Sequence, residues 1–420
     1  MTEALTNWAR NVTFSTARLH RPASVDELQQ VVAASSRLRA LGTGHSFSTV
    51  ADTTGDLVSV MDLPKSVVVD PERGTATVSA GMSYGAVAGQ LHAQGWALPN
   101  LGSLPQISVA GACATGTHGS GRRLGCLASS VSGLDFVRAD GELATLSRHD
   151  ADFSGAVVAL GSLGVVTAVT LDVVPTFDVR QVVYNGLTRA AVAERFDEAM
   201  DSGYSVSIFT DWQSETTRVW RKERVGSGGD DLDPEWLGAT AATVADNPVP
   251  GVDAGNATEQ LGVAGPWHER LPHFRLNFTP SNGDELQSEY LVSREHGAAA
   301  FEALDRVRDR VAPALQICEI RSIAADNLWL SMAQGRDSVA LHFTWFDDVA
   351  AATAAVGAVE QALEPFAPRP HWGKLFTITP EVVRDRYELL PDFQQLRRRL
   401  DPANKLGNEF VDRFLGGPGN

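Results

Sequence analysis

Cysteine is scarce in this 420-residue chain, and long apolar runs and metal-ligand spacings are missing. Cys113, Cys126 and Cys318 are odd in number and lack metal-ligand spacing, so they read as reduced thiols of a cytoplasmic protein. The formal net charge is −16, which opposes binding to nucleic acid or anionic membrane, and neither is expected as a partner. No uninterrupted apolar run is long enough to span a bilayer. The start, Met1 to Trp8, has no basic region followed by an apolar core, so no signal peptide is expected. Walker A, His-Glu-x-x-His and Cys-x-x-Cys patterns are absent, which removes nucleoside triphosphate and structural metal from the expectations. Gly42-Thr43-Gly44-His45-Ser46-Phe47 lacks the third glycine of the nicotinamide fingerprint.

What is present is an ordinary globular composition, 43% hydrophobic and 20% charged, over a length that suits two domains. Ser24 with Glu27 three residues on predicts a capped helix to about Ser36. Leu57 to Met61, Ser66 to Val69 and Thr75 to Ser79 read as short strands. A helix follows from Tyr84 to Gln94, closed by Gly95. Val131 to Arg138 and Glu142 to Ser147 form a hairpin across Asp140-Gly141, and a long strand ends at Pro175. Beyond Thr176, strands are expected at Tyr204 to Trp212, Thr217 to Val225 and Leu286 to Val292, and around Glu319 and His342. Helices are expected at Arg294 to Val311 and Val349 to Leu363. Ser227 to Gly265 reads as a long loop. The mixture is an α+β layout.

Two stretches stand out. In Leu41-Gly42-Thr43-Gly44-His45-Ser46-Phe47-Ser48 a strand runs into a glycine turn whose successive N–H groups can form an anion-binding concavity. Taken alone, it reads more readily as a plain turn. Pro99 to Gly121 is dense in Gly, Ser and Thr and holds no charged residue, as expected where backbone and hydroxyls wrap a large polar cofactor.

Later, strand alternation puts Glu319 and Arg321 on one face, and His342 with Thr344 on one face opposite Leu341, Phe343 and Trp345. One reading is an antiparallel sheet with a wet face. The other is a site for a hydroxyl-rich molecule, which offers little apolar surface and must be held by charged hydrogen bonds worth about 1.5–3 kcal/mol each. A competing motif is Gly81-Met82-Ser83-Tyr84-Gly85, a Gly-x-Ser-x-Gly match between a strand and a helix, the context of a nucleophile elbow in a serine hydrolase.

Together these segments resemble the flavin domain of the vanillyl-alcohol oxidase/p-cresol methylhydroxylase family. The later strands resemble its alditol (xylitol, sorbitol) oxidases and their aldonolactone oxidase relatives, and the likeness covers nearly the whole chain. The resemblance implies an FAD domain over residues 1–176, an antiparallel-sheet cap domain over 177–368 and a C-terminal segment, 369–420, that returns to the flavin. It implies FAD held by Leu41, Gly42, Thr43, Gly44, His45, Ser46, Ser103, Ser108, Gly111, Thr115, Gly116, Thr117, His118, Val166 and His371, attached covalently through His45. Ser103, Glu319, Arg321, Thr344 and Lys374 match residues that hold polyol hydroxyls, with Arg321, Lys374 and His342 as the catalytic set. The implied reaction takes hydride from the terminal carbon of an alditol and passes it to dioxygen, giving an aldose and hydrogen peroxide. The implied partners are a small polyol and dioxygen, with no metal, for a monomer. In the family, the residue at the Gly102 position lies against the flavin ring and governs oxygen access. The rivals are an aldonolactone oxidase or dehydrogenase of the same family, a hydrolase using Ser83, and a non-catalytic sugar-binding module.

Overall fold

The computed structural model describes residues 4–16, 18–226, 233–277 and 284–417. The N-terminal part carries two small sheets. Arg18–His20, Asp56–Val58 and Leu38–Ala40 pair in parallel, and the crossover between the outer two is the helix Val25–Ala34. Ser24 caps that helix by accepting from Glu27 N–H at 3.1 Å. Glu27 reaches back to Ala23 N–H at 2.8 Å, one residue earlier than a standard capping box. The second sheet orders Val67–Asp70, Thr75–Ser79, Val165–Asp172, Val131–Val137 and Leu143–Ser147, all antiparallel. The expected hairpin turn is present, with Gly141 at φ +90° where a side chain would be strained. The strand expected to reach Pro175 instead breaks after Asp172. Val174–Pro175 leaves the sheet to pair with Trp96–Ala97.

The C-terminal part is built on one ten-stranded antiparallel sheet. Its central order is Asp178–Thr188, Thr216–Arg224, Ser205–Thr210, Leu315–Ile323, Ser338–Phe346 and Glu285–Ser293. The first of these, 11 residues long, is absent from the sequence-based expectation. The expected helix from Arg294 to Val311 is split at Val307 into Gly297–Arg306 and Arg308–Val311, while Val349–Leu363 forms as expected. The expected loop from Ser227 lies partly outside the described residues. Its described part is not structureless: Ala239–Ala241 and Gly265–Pro266 pair with the edge of Asp178–Thr188.

Alternation gives the sheet two different faces. Cys318, Ile320, Leu341, Phe343, Trp345 and Tyr290 pack against Phe301, Leu304, Val356 and Val359 of the covering helices. The opposite face carries Glu319, Arg321, His342, Thr344 and Glu289, and these are buried as well. The polar face is therefore not wet; it closes against the N-terminal part. All three cysteines are buried and free. Among the described residues no helix is long and apolar enough to cross a membrane.

Candidate active site

The strand register assembles a polar row. Glu319 pairs with His342, and His342 pairs in turn with Glu289 on the next strand. Cross-strand partners share a face with Cβ atoms about 5 Å apart, so three titratable groups stand side by side. The adjoining row holds Thr344 opposite Gln287. Arg321 lies two residues beyond Glu319, and its Nη1 donates to His118 O at 3.3 Å and reaches Ser103 Oγ at 3.5 Å.

Glu289 is the hub. Its Oε1 lies 2.7 Å from Arg321 Nη2 and 3.1 Å from His118 Nε2, and its Oε2 lies 3.3 Å from His342 Nδ1. Burial alone would raise this carboxyl. Arg321 and the two imidazoles outweigh it and hold Glu289 well below the carboxylate range. The same competition, won by Arg321 and His273, keeps Glu319 ionised. Burial dominates at His342 and lowers its pKa from 6.5, so the ring is neutral at pH 7.

A short C-terminal stretch stitches this sheet to the glycine turn. His371 N–H donates to Glu289 O at 2.9 Å and Leu375 N–H to Gln287 O at 2.9 Å. On the other side Phe47 N–H donates to Gly373 O at 2.7 Å, and Ser48 Oγ to Trp372 O at 2.7 Å. Lys374 is thereby held over the Phe47 ring, 5.0 Å from its centroid, with Nζ bonded to Gln287 Oε1. Desolvation lowers Lys374 to about 8 despite the carboxylate of Glu289.

In the turn itself, Gly44 takes φ +71°. A Cβ at Gly42 would stand 2.4 Å from Ser108 Oγ, and one at Gly111 2.8 Å from the same atom. The two glycines thus let loop and helix Val109–Ala114 close on each other. His45 stacks on Trp8 with ring centroids 5.4 Å apart, and its buried Nδ1 has no hydrogen-bond partner. Desolvation, then the charge of Lys374, pushes His45 down to about 4.

One continuous cavity joins these pieces. Of the residues singled out from sequence, Leu41, Gly42, Thr43, Gly44, His45, Ser46, Ser103, Ser108, Gly111, Thr115, Thr117, His118, Val166 and His371 line it. So do Glu319, Arg321, His342, Thr344 and Lys374. Gly116 does not. It sits at φ +69° in the turn after the helix, against Met332, where it shapes the backbone. Ser83 is also off the wall: it caps helix Tyr84–Ala93 by accepting from Ala86 N–H at 3.3 Å. That accounts for the Gly-x-Ser-x-Gly match as a helix start.

Sequence reasoning missed Glu289, Gln287, His273 and Trp8, all now at the site. For the first two a signal existed. Glu285, Gln287 and Glu289 alternate with Leu286, Ser288 and Tyr290, so strand spacing puts the three on one face, as it does Glu319 and Arg321. The glycine-lined arm, its uncharged hydroxyl wall and the unpartnered His45 Nδ1 fit a flavin dinucleotide, which needs backbone approach along its phosphates and an open position beside its ring. Among the described residues no cluster suited to a metal ion occurs.

Comparison with known proteins agrees with this geometry. Residues 16–147 match the model of an FAD binding domain, and residues 282–414 match that of D-arabinono-1,4-lactone oxidase. An alditol oxidase of Streptomyces sp. is 48% identical, covering 99% of this chain and 100% of the relative. An L-gulono-1,4-lactone dehydrogenase of Mycobacterium tuberculosis is 30% identical over the same shares. In fold, the cholesterol oxidase of Brevibacterium sterolicum superposes with a TM-score of 0.78 at 14% identity, covering 98% of this chain and 96% of that one. The xylooligosaccharide oxidase of Myceliophthora thermophila superposes with a TM-score of 0.75 at 15% identity, covering 99% and 94%. The chain belongs to the vanillyl-alcohol oxidase/p-cresol methylhydroxylase family of FAD flavoenzymes, in its group of alditol oxidases and related aldonolactone oxidases, and is an oxidoreductase.

Proposed function

We propose that this protein oxidises the terminal C1 hydroxyl of small alditols such as xylitol and sorbitol to the aldose, with dioxygen reduced to hydrogen peroxide. The observation that carries the reading is the buried polar face: Glu319, Arg321, His342, Thr344 and Lys374 converge on one cavity that continues to the His45 turn. FAD supplies the hydride acceptor and the reaction with dioxygen; His45 is the residue through which it is attached. Residues 1–176 hold the cofactor, 177–368 form the cap, and 369–420 return across the site.

The chain's own residues handle the hydroxyls and the proton. Glu319, Thr344 and Ser103 hold the polyol chain, each hydrogen bond to a charged group contributing about 1.5–3 kcal/mol. His342 takes the C1 hydroxyl proton at Nε2, because its Nδ1 faces the Glu289 carboxylate at 3.3 Å, which favours a proton there and leaves Nε2 as the acceptor. Arg321 and the ammonium of Lys374 stabilise the developing alkoxide. Glu289 keeps Arg321 and His118 in place.

The second reading is oxidation of an aldonolactone. It is favoured by the lactone-oxidase match over residues 282–414, the stretch that carries Glu289, Glu319, Arg321, His342, Thr344 and Lys374. Steady-state oxygen consumption with xylitol, sorbitol and L-gulono-1,4-lactone separates the two. Turnover of the polyols alone supports the first reading, and turnover of the lactone alone replaces it with the second.

A further inference from the structure

The chain has four lysines, Lys65, Lys222, Lys374 and Lys405. Lys374 belongs to the site described above. Of the four, Lys222 is the deeply buried one, 1% exposed, and the proposed reaction leaves it without a role. Its Nζ reaches Leu271 O, Pro272 O at 3.3 Å and His273 Nδ1 at 3.3 Å. Burial lowers Lys222 to about 7 against the pull of Glu319, so at pH 6 its amine is an ammonium, with three protons and no lone pair. Lys222 therefore donates to His273 Nδ1, which must be unprotonated, and the imidazole proton sits on Nε2. That nitrogen lies 2.7 Å from Glu319 Oε1, with Ser207 Oγ at 3.4 Å as a weaker neighbour. The His273 ring cannot swing away. It is wedged edge-on between Phe209 and Trp220, with centroids 5.4 Å and 5.3 Å distant. Its backbone is fixed by Thr258 N–H, which donates to His273 O at 2.9 Å.

We infer that Lys222 and His273 form a positioning relay for Glu319. Lys222 selects the Nε2-H tautomer of His273, and His273 spends that proton on Oε1, which fixes the carboxylate plane and leaves Oε2 for the hydroxyls of the bound polyol. Burial and the Lys222 charge push His273 down to about 4, so the ring stays neutral and donates a single proton in this direction. The relay reaches Glu319 from the side of Ser207 and Phe209, across the sheet from Glu289. His273 takes Oε1 at 2.7 Å, and Arg321 Nε stands 3.6 Å from the same oxygen, too far for a hydrogen bond. The role in polyol recognition rests on the reading given under Proposed function; the tautomer does not.

Two measurements test it. Nitrogen-15 spectra of histidine-labelled holoenzyme at pH 6 should contain a neutral imidazole protonated at Nε2 whose resonances move in both Lys222→Met and Glu319→Gln. Finding that ring protonated at Nδ1, or doubly protonated, overturns the relay whatever the substrate is. The second measurement is a double-mutant cycle on kcat/KM for xylitol. His273→Leu alone should lower kcat/KM at least about tenfold, chiefly through KM, with flavin content unchanged. In a Glu319→Gln background the same change should cost less than about twofold, because a residue that acts through Glu319 has nothing left to position. Equal losses in both backgrounds overturn the proposal. If wild-type enzyme oxidises no polyol, the substrate reading fails, while the spectrum still decides the relay.

Discussion

Arg321 and Glu289 form an ion pair of 2.7 Å in which both side chains are almost wholly buried. They sit on strands separated by the His342 strand, so the pair bridges over the middle of the polar face. Removing one member of such a pair leaves an uncompensated buried charge, which costs several kcal/mol.

Glu289→Gln should therefore lower stability by about 3 kcal/mol and lower kcat/KM for xylitol by at least about a hundredfold, since His342 loses the partner that orients it. Thermal unfolding and steady-state kinetics check the two effects. Unchanged turnover would remove Glu289 from the machinery.

The pH profile follows from the signs of two shifts. His342 must be neutral to accept a proton, and its pKa lies below 6.5, so kcat/KM should rise as pH rises through that acidic value. Lys374 must keep its charge, and its pKa is lowered to about 8, so kcat/KM should fall as pH rises through about 8. Lys374→Met should abolish the alkaline limb and leave the acidic one.

His45 predicts a flavin that survives denaturation. The wild-type gel band should fluoresce under ultraviolet light after acid treatment, and the His45→Ala band should not. Complete release of flavin from denatured wild type would refute the linkage but not the fold.

At Gly102 neither backbone nor packing demands glycine. Its φ is not left-handed, and a Cβ would meet nothing nearer than His118 O at 3.7 Å. A Cβ would be in ordinary contact with His118, Ile107 and Thr117, and we propose that the bulk of a larger side chain would hinder dioxygen on its way to the flavin. Gly102→Val should slow reoxidation of the reduced enzyme by air and leave anaerobic reduction by xylitol nearly intact. Stopped-flow measurement of each half-reaction distinguishes this from a distorted loop, which would slow both.

Ser83→Ala should cost about 1 kcal/mol of stability through loss of the helix cap and leave turnover unchanged. An active-site serine probe should not label the wild type.

What the chain reveals before folding depends on how local the cause is. The cap at Ser24, the Asp140-Gly141 turn and the face shared by Glu319 and Arg321 are short-range consequences of side-chain spacing, and all are legible. The strand Asp178–Thr188 was hidden because its apolar positions do not alternate cleanly. Val182, Val183 and Tyr184 run together, since helices cover one side and the 239–266 segment the other. Trp8 and His273 were unreadable for a different reason. Their contacts with His45 and Glu319 span 37 and 46 residues of chain, and nothing in local pattern marks a partner at that distance. Lys222 lies in a run of charged residues, Arg221 to Arg224, in which nothing marks a buried amine; only the fold shows it meeting the carbonyls of Leu271 and Pro272.

The central claim is that polyols are the electron donors. Anaerobic titration of the purified flavoprotein with xylitol, followed by admission of air, tests it most directly. Xylitol should bleach the visible flavin absorption, and air should restore it with one hydrogen peroxide formed per xylitol oxidised. Bleaching by L-gulono-1,4-lactone but not by xylitol or sorbitol would contradict the account.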